Sequence, residues 1–225
     1  MNILIFDAST LITLAMNGLL RDLRELKKMF NGKFIITQEV KREVIDRPIK
    51  IKRFELEALR VKQLLDEKVL EMPSSLKISD NLIMQKTDEM LKIANNLFQS
   101  KGKQIKLISA GETSCLALSR LLEKRKIDSV IAIDERTTRM LSEMPENLES
   151  LLRKKLHTNV VFNQGNFDIF RGFKFIRSSE LVYIIYKKGI SKLKNGLVLD
   201  ALLYAVKFKG CAISEEEIEA IKRIG

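Results

Sequence analysis

Apolar residues follow two rhythms along this chain, and the switching between them predicts its architecture. Near the start, Ile3-Leu4-Ile5-Phe6 is an unbroken apolar run that stops at Asp7, the pattern of a strand buried on both faces of a parallel sheet. The spacing then becomes helical through Leu11, Ile12, Leu14 and Ala15, with Ser9 and Thr10 as the expected caps. Residues 19–30 continue amphipathically through Leu20, Leu23, Leu26 and Met29, up to an Asn31-Gly32 stop. Phe34-Ile35-Ile36 predicts a second short buried strand. Thr37 then caps a helix carrying Glu39, Val40, Glu43 and Val44, and Arg47-Pro48 closes it.

A long helical stretch follows. Residues 52–66 read as a helix through Phe54, Leu56, Leu59, Leu64 and Leu65. Val69-Leu70-Glu71-Met72 reads as a short strand, and a second helix with Leu82, Met90, Leu91, Ala94, Leu97 and Phe98 runs to Lys101-Gly102. Residues 50–105 therefore look like a helical insertion between core strands, either a cap over a ligand or an arm for a homodimer; the sequence leaves both open. Ser109-Ala110-Gly111-Glu112 opens the next helix, whose buried side is Cys115, Leu116, Leu118, Leu121 and Leu122. Ser129-Val130-Ile131-Ala132-Ile133-Asp134 is the clearest later strand, again an apolar run ending in an acid.

Helices are expected over 136–141 and 146–156, and a hairpin around Val160-Val161-Phe162 and Gly165. Residues 142–172 read as a second variable insertion. Phe173-Lys174-Phe175-Ile176 predicts a strand, with Ser178 and Ser179 capping a helix that carries Leu181, Tyr183, Ile184 and Ile185. Helix continues over 195–208, and Ser214-x-x-Glu217 is a capping box for the last one. Strands alternating with helices predict the α/β class: a three-layer α/β/α sandwich around a mostly parallel sheet, with residues 1–225 as one domain.

Composition changes this picture in few ways. Lys and Arg number 40 against 29 Asp and Glu, a formal net charge of +11. That excess fits a polyanionic partner such as nucleic acid, or the charged surface of a heat-adapted protein, and by itself it does not choose. Two cysteines, Cys115 and Cys211, form neither a CxxC pair nor a disulfide framework, which suits a reducing cytoplasm. No apolar run approaches a membrane span, and the N-terminus meets Asp7 too soon to read as a signal peptide. His157, the single histidine, gives a serine-hydrolase triad or a His-rich metal cage little to draw on and reads as a surface or loop residue. No Gly-rich phosphate loop of the P-loop or Rossmann type is present.

The candidate chemistry lies in four acids with related placements. Asp7 and Asp134 end strands, Glu43 lies on the helix after the second strand, and Glu112 starts the helix before a later one. Right-handed crossovers bring successive strand ends to one edge of the sheet, where ligands of open α/β sheets collect. Each acid alone has a plainer account. Glu112 completes a capping box with Ser109, and Glu43 beside Lys41 and Arg42 reads as helix surface. Asp7 suits a turn, and Asp134-Glu135 suits a helix start. Together they would form a group of carboxylates that repel one another unless a cation neutralises them. An all-oxygen donor set favours Mg²⁺ or Mn²⁺ over zinc.

Four short segments resemble the PIN-domain family of prokaryotic and archaeal nucleases, which includes toxin–antitoxin toxins and RNA-processing enzymes. They are Phe6-Asp7-Ala8-Ser9-Thr10-Leu11-Ile12, Ile36-Thr37-Gln38-Glu39-Val40-Lys41-Arg42-Glu43-Val44, Gly111-Glu112-Thr113-Ser114-Cys115-Leu116-Ala117-Leu118 and Ile131-Ala132-Ile133-Asp134-Glu135-Arg136-Thr137-Thr138-Arg139. The tail from Tyr186-Lys187-Lys188-Gly189 through Gly210 to Ser214-Glu215-Glu216 is similar to a prokaryotic subgroup. The resemblance implies catalytic and metal-binding roles for Asp7, Glu43, Glu112 and Asp134, with Ser9, Glu39 and Glu135 in support. Glu39 competes with Glu43 for the second position. Glu135 stands where many relatives carry a second aspartate.

It further implies hydrolysis of single-stranded RNA with Mg²⁺ or Mn²⁺, leaving 5′-phosphate and 3′-hydroxyl ends. Arg136, Arg139 and Arg177 are the candidates for holding the nucleic-acid backbone. If the chain is a toxin, an antitoxin protein is the implied partner, although the insertions are long for a minimal one. A scaffold that binds nucleic acid through the same fold without cutting is the alternative.

Overall fold

The computed structural model describes residues 2–163, 167–193 and 195–224. The first apolar run forms β1 (Asn2–Phe6), and parallel β2 (Gly32–Ile35) lies on one side of it with Ile5 opposite Ile35. On its other side is β5 (Ser129–Ala132), also parallel, with Phe6 opposite Ala132; β7 (Phe175–Ile176) completes the sheet. The strand order is β2-β1-β5-β7. Chain direction across the sheet therefore reverses between β1 and β5, the crevice where open α/β sheets bind ligands. Ile3, Ile5, Phe6, Phe34, Ile35, Ile131 and Ala132 are almost wholly buried, which accounts for the unbroken apolar runs.

Helices cover both faces in the three-layer arrangement expected from the alternation. After β1 come α1 (Ala8–Met16) and α2 (Leu20–Met29). After β2 the chain runs through α3 (Gln38–Lys41), α4 (Glu55–Asp66), α5 (Asp80–Leu97) and α6 (Ala110–Lys124). α6 packs against β1 and β5 on one side and α5 on the other. Helices α7 (Arg136–Glu143) and α8 (Pro145–Leu156) connect β5 to β7, followed by α9 (Ser178–Lys187), α10 (Val198–Phe208) and α11 (Glu215–Ile224). α9 packs on α1 and α10.

Residues 50–105 share the core of the sandwich. Leu64, Met90, Ala94 and Leu97 are fully or almost fully buried with the residues of the sheet, and Ile83 joins them.

Several local expectations change. Asp7, rather than Ser9 or Thr10, is the N-cap of α1, because its Oδ2 accepts the Ser9 N–H at 2.9 Å. Ser178 and Ser179 lie inside the first turn of α9, not at its cap; Arg177 is the cap residue. The run at 69–72 contributes only one parallel bridge, Ile35 to Glu71.

The second long helix stops at Leu97. Phe98–Ser100 leaves it as strand β3, in a small antiparallel sheet of order β4-β3-β6 with β4 (Lys103–Gln104) and β6 (Val161–Phe162). Helical periodicity could not show this, because what extends the chain is the stacking of Phe98 on Phe162, with ring centroids 4.9 Å apart. The expected hairpin near 160–165 is thus a pairing of Val161–Phe162 with β3, while Gly165 lies outside the described residues. Thr37 caps α3 as expected, and Ser214 and Glu217 exchange the two bonds of a capping box. Both cysteines are buried free thiols, and exposed His157 ends α8 in the left-handed region. Among the described residues no helix is long and apolar enough to cross a membrane.

Candidate active site at the crevice between β1 and β5

The carboxyl ends of β1 and β5 are tied directly. The Asp7 N–H donates to Ala132 O at 2.9 Å, so the residues that follow each strand leave the sheet side by side. Ser9 completes the link: its hydroxyl donates to Asp7 Oδ2 at 2.5 Å and accepts the Asp134 N–H at 3.1 Å. One hydroxyl therefore bridges the first candidate acid to the backbone of the fourth. Asp134 in turn accepts the Ser178 N–H on Oδ1 at 2.7 Å, which fixes the start of α9 against the same edge.

Both aspartates are buried, and in each one carboxylate oxygen lacks a partner: Oδ1 of Asp7 and Oδ2 of Asp134. A buried carboxylate oxygen without a donor is costly unless a cation, a proton or a water meets it. Burial pushes the Asp7 carboxyl above its ordinary value against the pull of the Ser9 hydrogen bonds, and the charge of Asp134 adds to the rise.

Glu43 and Glu112 arrive from α3 and α6. The helix begun at Gln38 widens into a π-helical turn over Arg42–Asp46, in which Arg47 N–H reaches Arg42 O at 3.0 Å. Such turns gather at functional sites, and this one carries Glu43. Its carboxylate lies against Gly111 in the first turn of α6. A Cβ at Gly111 would stand 2.7 Å from Glu43 Oε2 and 2.9 Å from Oε1, so a side chain here would push the Glu43 carboxylate aside. Thr37 Oγ1 at the cap of α3 meets Ser114 Oγ of α6 at 2.6 Å, and Cys115 Sγ ties α6 to β1 by donating to Phe6 O at 3.7 Å. Burial raises the Glu43 pKa, the charge of Asp7 raises it further, and Arg47 opposes both.

Glu112 is raised as well. Burial lifts its carboxyl to about 7, hydrogen bonds from Thr138 and Ser109 resist, and the charges of Asp7 and Glu135 add. Ser109 Oγ caps α6 by accepting the Glu112 N–H at 3.2 Å. The Glu112 side chain accepts from Ser109 Oγ at 3.0 Å and from Thr138 Oγ1 on α7, instead of returning to the Ser109 backbone. The expected capping box is half made, and its acid reaches across to α7.

The buried Cys115 thiol reports where these charges point: burial pushes it up, and so do Asp7, Glu112 and Glu43. Three of the acids thus act on one thiol of α6, and Ser9 links Asp7 to the Asp134 backbone. They do not form a ready-made cage. Among the described residues no three His, Cys, Asp or Glu side chains are placed to enclose a cation as they stand. The donor set still fits an oxygen-liganded divalent ion, because two buried carboxylate oxygens lack partners and every candidate donor is an oxygen.

The supporting residues and the arginines divide by their partners. Glu135 caps α7, its Oε2 accepting the Thr137 N–H at 2.8 Å. Glu39 pairs with Arg42 at 2.6 Å. Arg177 is engaged inside the fold: it pairs with Glu180 at 2.5 Å and Glu217 at 2.7 Å, and donates to Ala212 O. Burial works against its charge, but those two carboxylates more than offset it and hold its pKa above the ordinary value. Arg139 also donates to Ala212 O, and burial beside Arg177 lowers its pKa. Arg136 alone of the three is exposed with no hydrogen bond or ion pair among the described residues.

Gly111 and the π-turn were missed by sequence reasoning. The Val-x-x-Glu spacing placed Glu43 on a helix but carried no sign of its widening.

No family model matches the chain, and neither a curated protein nor a solved structure matches it.

Proposed function

We propose that this protein is a metal-dependent endoribonuclease of the PIN-like type, hydrolysing phosphodiester bonds of single-stranded RNA at the crevice between β1 and β5. The observation that carries the reading is the pair of buried, unpartnered carboxylate oxygens, Asp7 Oδ1 and Asp134 Oδ2, beside two further acids with raised pKa values. Perturbed carboxylates gathered in a strand-end crevice make that crevice a functional-site candidate.

Asp7, Asp134, Glu43 and Glu112 are the residues that would hold Mg²⁺ or Mn²⁺. When bound, such an ion lowers the pKa of water and stabilises charge on the phosphate. Ser9 orients Asp7 and steadies the Asp134 backbone. Ser109 and Thr138 hold Glu112 in one orientation. Arg136, exposed at the start of α7, is the residue for a backbone phosphate.

The test is cleavage of end-labelled single-stranded RNA by purified protein with Mn²⁺. Cleavage is expected, with at least a hundredfold loss in Asp7→Asn. Binding without cutting, unchanged in Asp7→Asn, would replace this reading with a nucleic-acid-binding scaffold. One observation favours that second reading: among the described residues no three acids enclose a cation as they stand. A toxin role is a separate matter. It requires a small antitoxin-like reading frame beside the gene and arrested growth on expression; unaffected growth removes the toxin role and leaves the nuclease reading intact.

A further inference from the structure

Arg177 has more counter-charge than it needs. Its guanidinium pairs with Glu180 at 2.5 Å and with Glu217 at 2.7 Å. Glu180 belongs to the same helix start and also accepts the Arg177 N–H at 2.8 Å, so it is part of the frame of α9. Glu217 comes from α11 and forms the outer side of the cluster: its side chain is 47% exposed where that of Arg177 is 12%. Beside them lies Arg139. Both guanidiniums donate to Ala212 O, at 3.1 Å from Arg177 and 3.2 Å from Arg139, and the Ala212 N–H donates to Asp134 O at 3.3 Å. The two arginines are thus fastened one peptide away from an acid of the crevice. Arg139 has donor capacity left over, because its Nε is buried with no acceptor among the described residues. A buried guanidinium N–H in that state is costly until an acceptor meets it.

The helix that brings Glu217 is held lightly. Ile218 is its buried residue, with Ile221 partly so, and its other ties are the partly exposed pairs Lys207–Glu215 at 3.2 Å and Lys222–Asp200 at 2.7 Å. Such pairs contribute little each, so the first turn of α11 can open at low cost. A phosphodiester carries one negative charge, as Glu217 does. Exchanging one for the other leaves the balance of two guanidiniums and two anions unchanged. Glu217 spends one oxygen on the Ser214 N–H at 2.8 Å, whereas a phosphate has both free oxygens for the arginines.

We infer that Arg177 and Arg139 form a second phosphate seat at the crevice, closed in the free protein by Glu217, and that RNA opens it by putting a backbone phosphate in place of that carboxylate. The inference rests on the nuclease reading above and adds regulation to it. The last helix withholds two arginines until a strand held by Arg136, three residues before Arg139 on α7, competes for them.

The test is binding of a short oligouridine to full-length protein in EDTA, measured against salt concentration. Glu217→Gln keeps the shape and one acceptor while removing the charge. It should bind roughly two- to fivefold tighter than wild type, the scale of one exposed ion pair. Its slope against the logarithm of salt should steepen by about 0.7, one further phosphate contact on a single strand. Glu215→Gln removes the same charge from the same turn but frees Lys207 instead of Arg177, so its slope should stay that of wild type. Unchanged binding by Glu217→Gln, or equal steepening in both variants, overturns the seat. Hydrogen exchange reads the displacement without any substitution: amides of residues 214–218 should exchange faster in wild-type protein once RNA is added. Slower or unchanged exchange there also overturns it and makes Glu217 a structural tie only. Manganese-dependent cleavage with no effect of Glu217→Gln on binding leaves the nuclease reading standing and removes the seat. Tighter, steeper binding by Glu217→Gln without cleavage in Mn²⁺ keeps the seat and passes the protein to the scaffold reading.

Discussion

Glu112 governs how this protein should respond to pH. Its carboxyl titrates near 7 against an ordinary 4.5, so between those values the folded chain binds more protons than the unfolded one. Its contribution to stability is complete below about pH 4.5 and lost as pH rises through 7, a change of about 3 kcal/mol by linkage. Asp7 and Glu43 are raised too and steepen the fall. Metal-free protein is therefore expected to melt at a lower temperature at pH 8 than at pH 6, and Glu112→Gln should reduce the difference. Mn²⁺ should raise the melting temperature more at pH 8, since a cation binds the ionised form. Equal melting temperatures at the two pH values in EDTA would contradict the burial of these acids. Ser9 gives a second prediction. Removing its hydroxyl strips Asp7 Oδ2 and the Asp134 N–H of a shared partner, so Ser9→Ala should cost roughly 1–3 kcal/mol in denaturant unfolding. Asp7 and Asp134 were legible in sequence because an acid ending an apolar run is a local signal. The inward ties of Arg177 were not, since its partner Glu217 lies far along the chain and only the fold brings the two together.

At the scale of elements, the strands and most helices follow from periodicity, and the departures occur where one element answers to another. The α3 helix widens into a π-turn that carries Glu43, and the Glu43 carboxylate meets Gly111 in the first turn of α6. In an ordinary helix, replacing glycine by alanine gains roughly 1 kcal/mol. Here the added Cβ would stand 2.7 Å from Glu43 Oε2. Gly111→Ala is thus expected to displace the flexible end of Glu43 and lower cleavage, and to gain less stability than the same substitution in a Glu43→Ala background. A double-mutant cycle read by chemical denaturation should return a coupling of about 1–2 kcal/mol. Additive effects would show that Glu43 and Gly111 do not meet. The sequence showed Gly111 inside a helix start but not which side chain it makes room for. The end of α5 has the same cause: Phe98 obeys the helical spacing, yet its contact with Phe162 takes it into a strand.

For the whole molecule, the decisive quantity is the net charge of +11, which composition alone left between a polyanionic partner and a stabilising surface. The ion pairs help to separate these. Many join residues three or four apart on one helix, such as Lys62–Asp66 and Arg153–Glu149, and exposed pairs of this kind each contribute well under 1 kcal/mol at ordinary temperature. Cations without ion pairs among the described residues stand at several places, Arg60 on α4 and Lys155 on α8 among them; Arg136 is exposed at the start of α7, beside the crevice in which Asp7 and Asp134 are buried. A single strand laid along this edge would meet Arg136 beside the carboxylates where cleavage is proposed. Binding in EDTA should therefore weaken linearly with the logarithm of salt concentration, and Arg136→Ala should lower the slope by about 0.7, the value for one phosphate contact on a single strand. An exposed lysine remote from the crevice, Lys155 on α8, should change neither slope nor affinity on substitution by alanine. If both substitutions lower the slope equally, the positive charge is a diffuse property of the surface and does not guide RNA to the crevice.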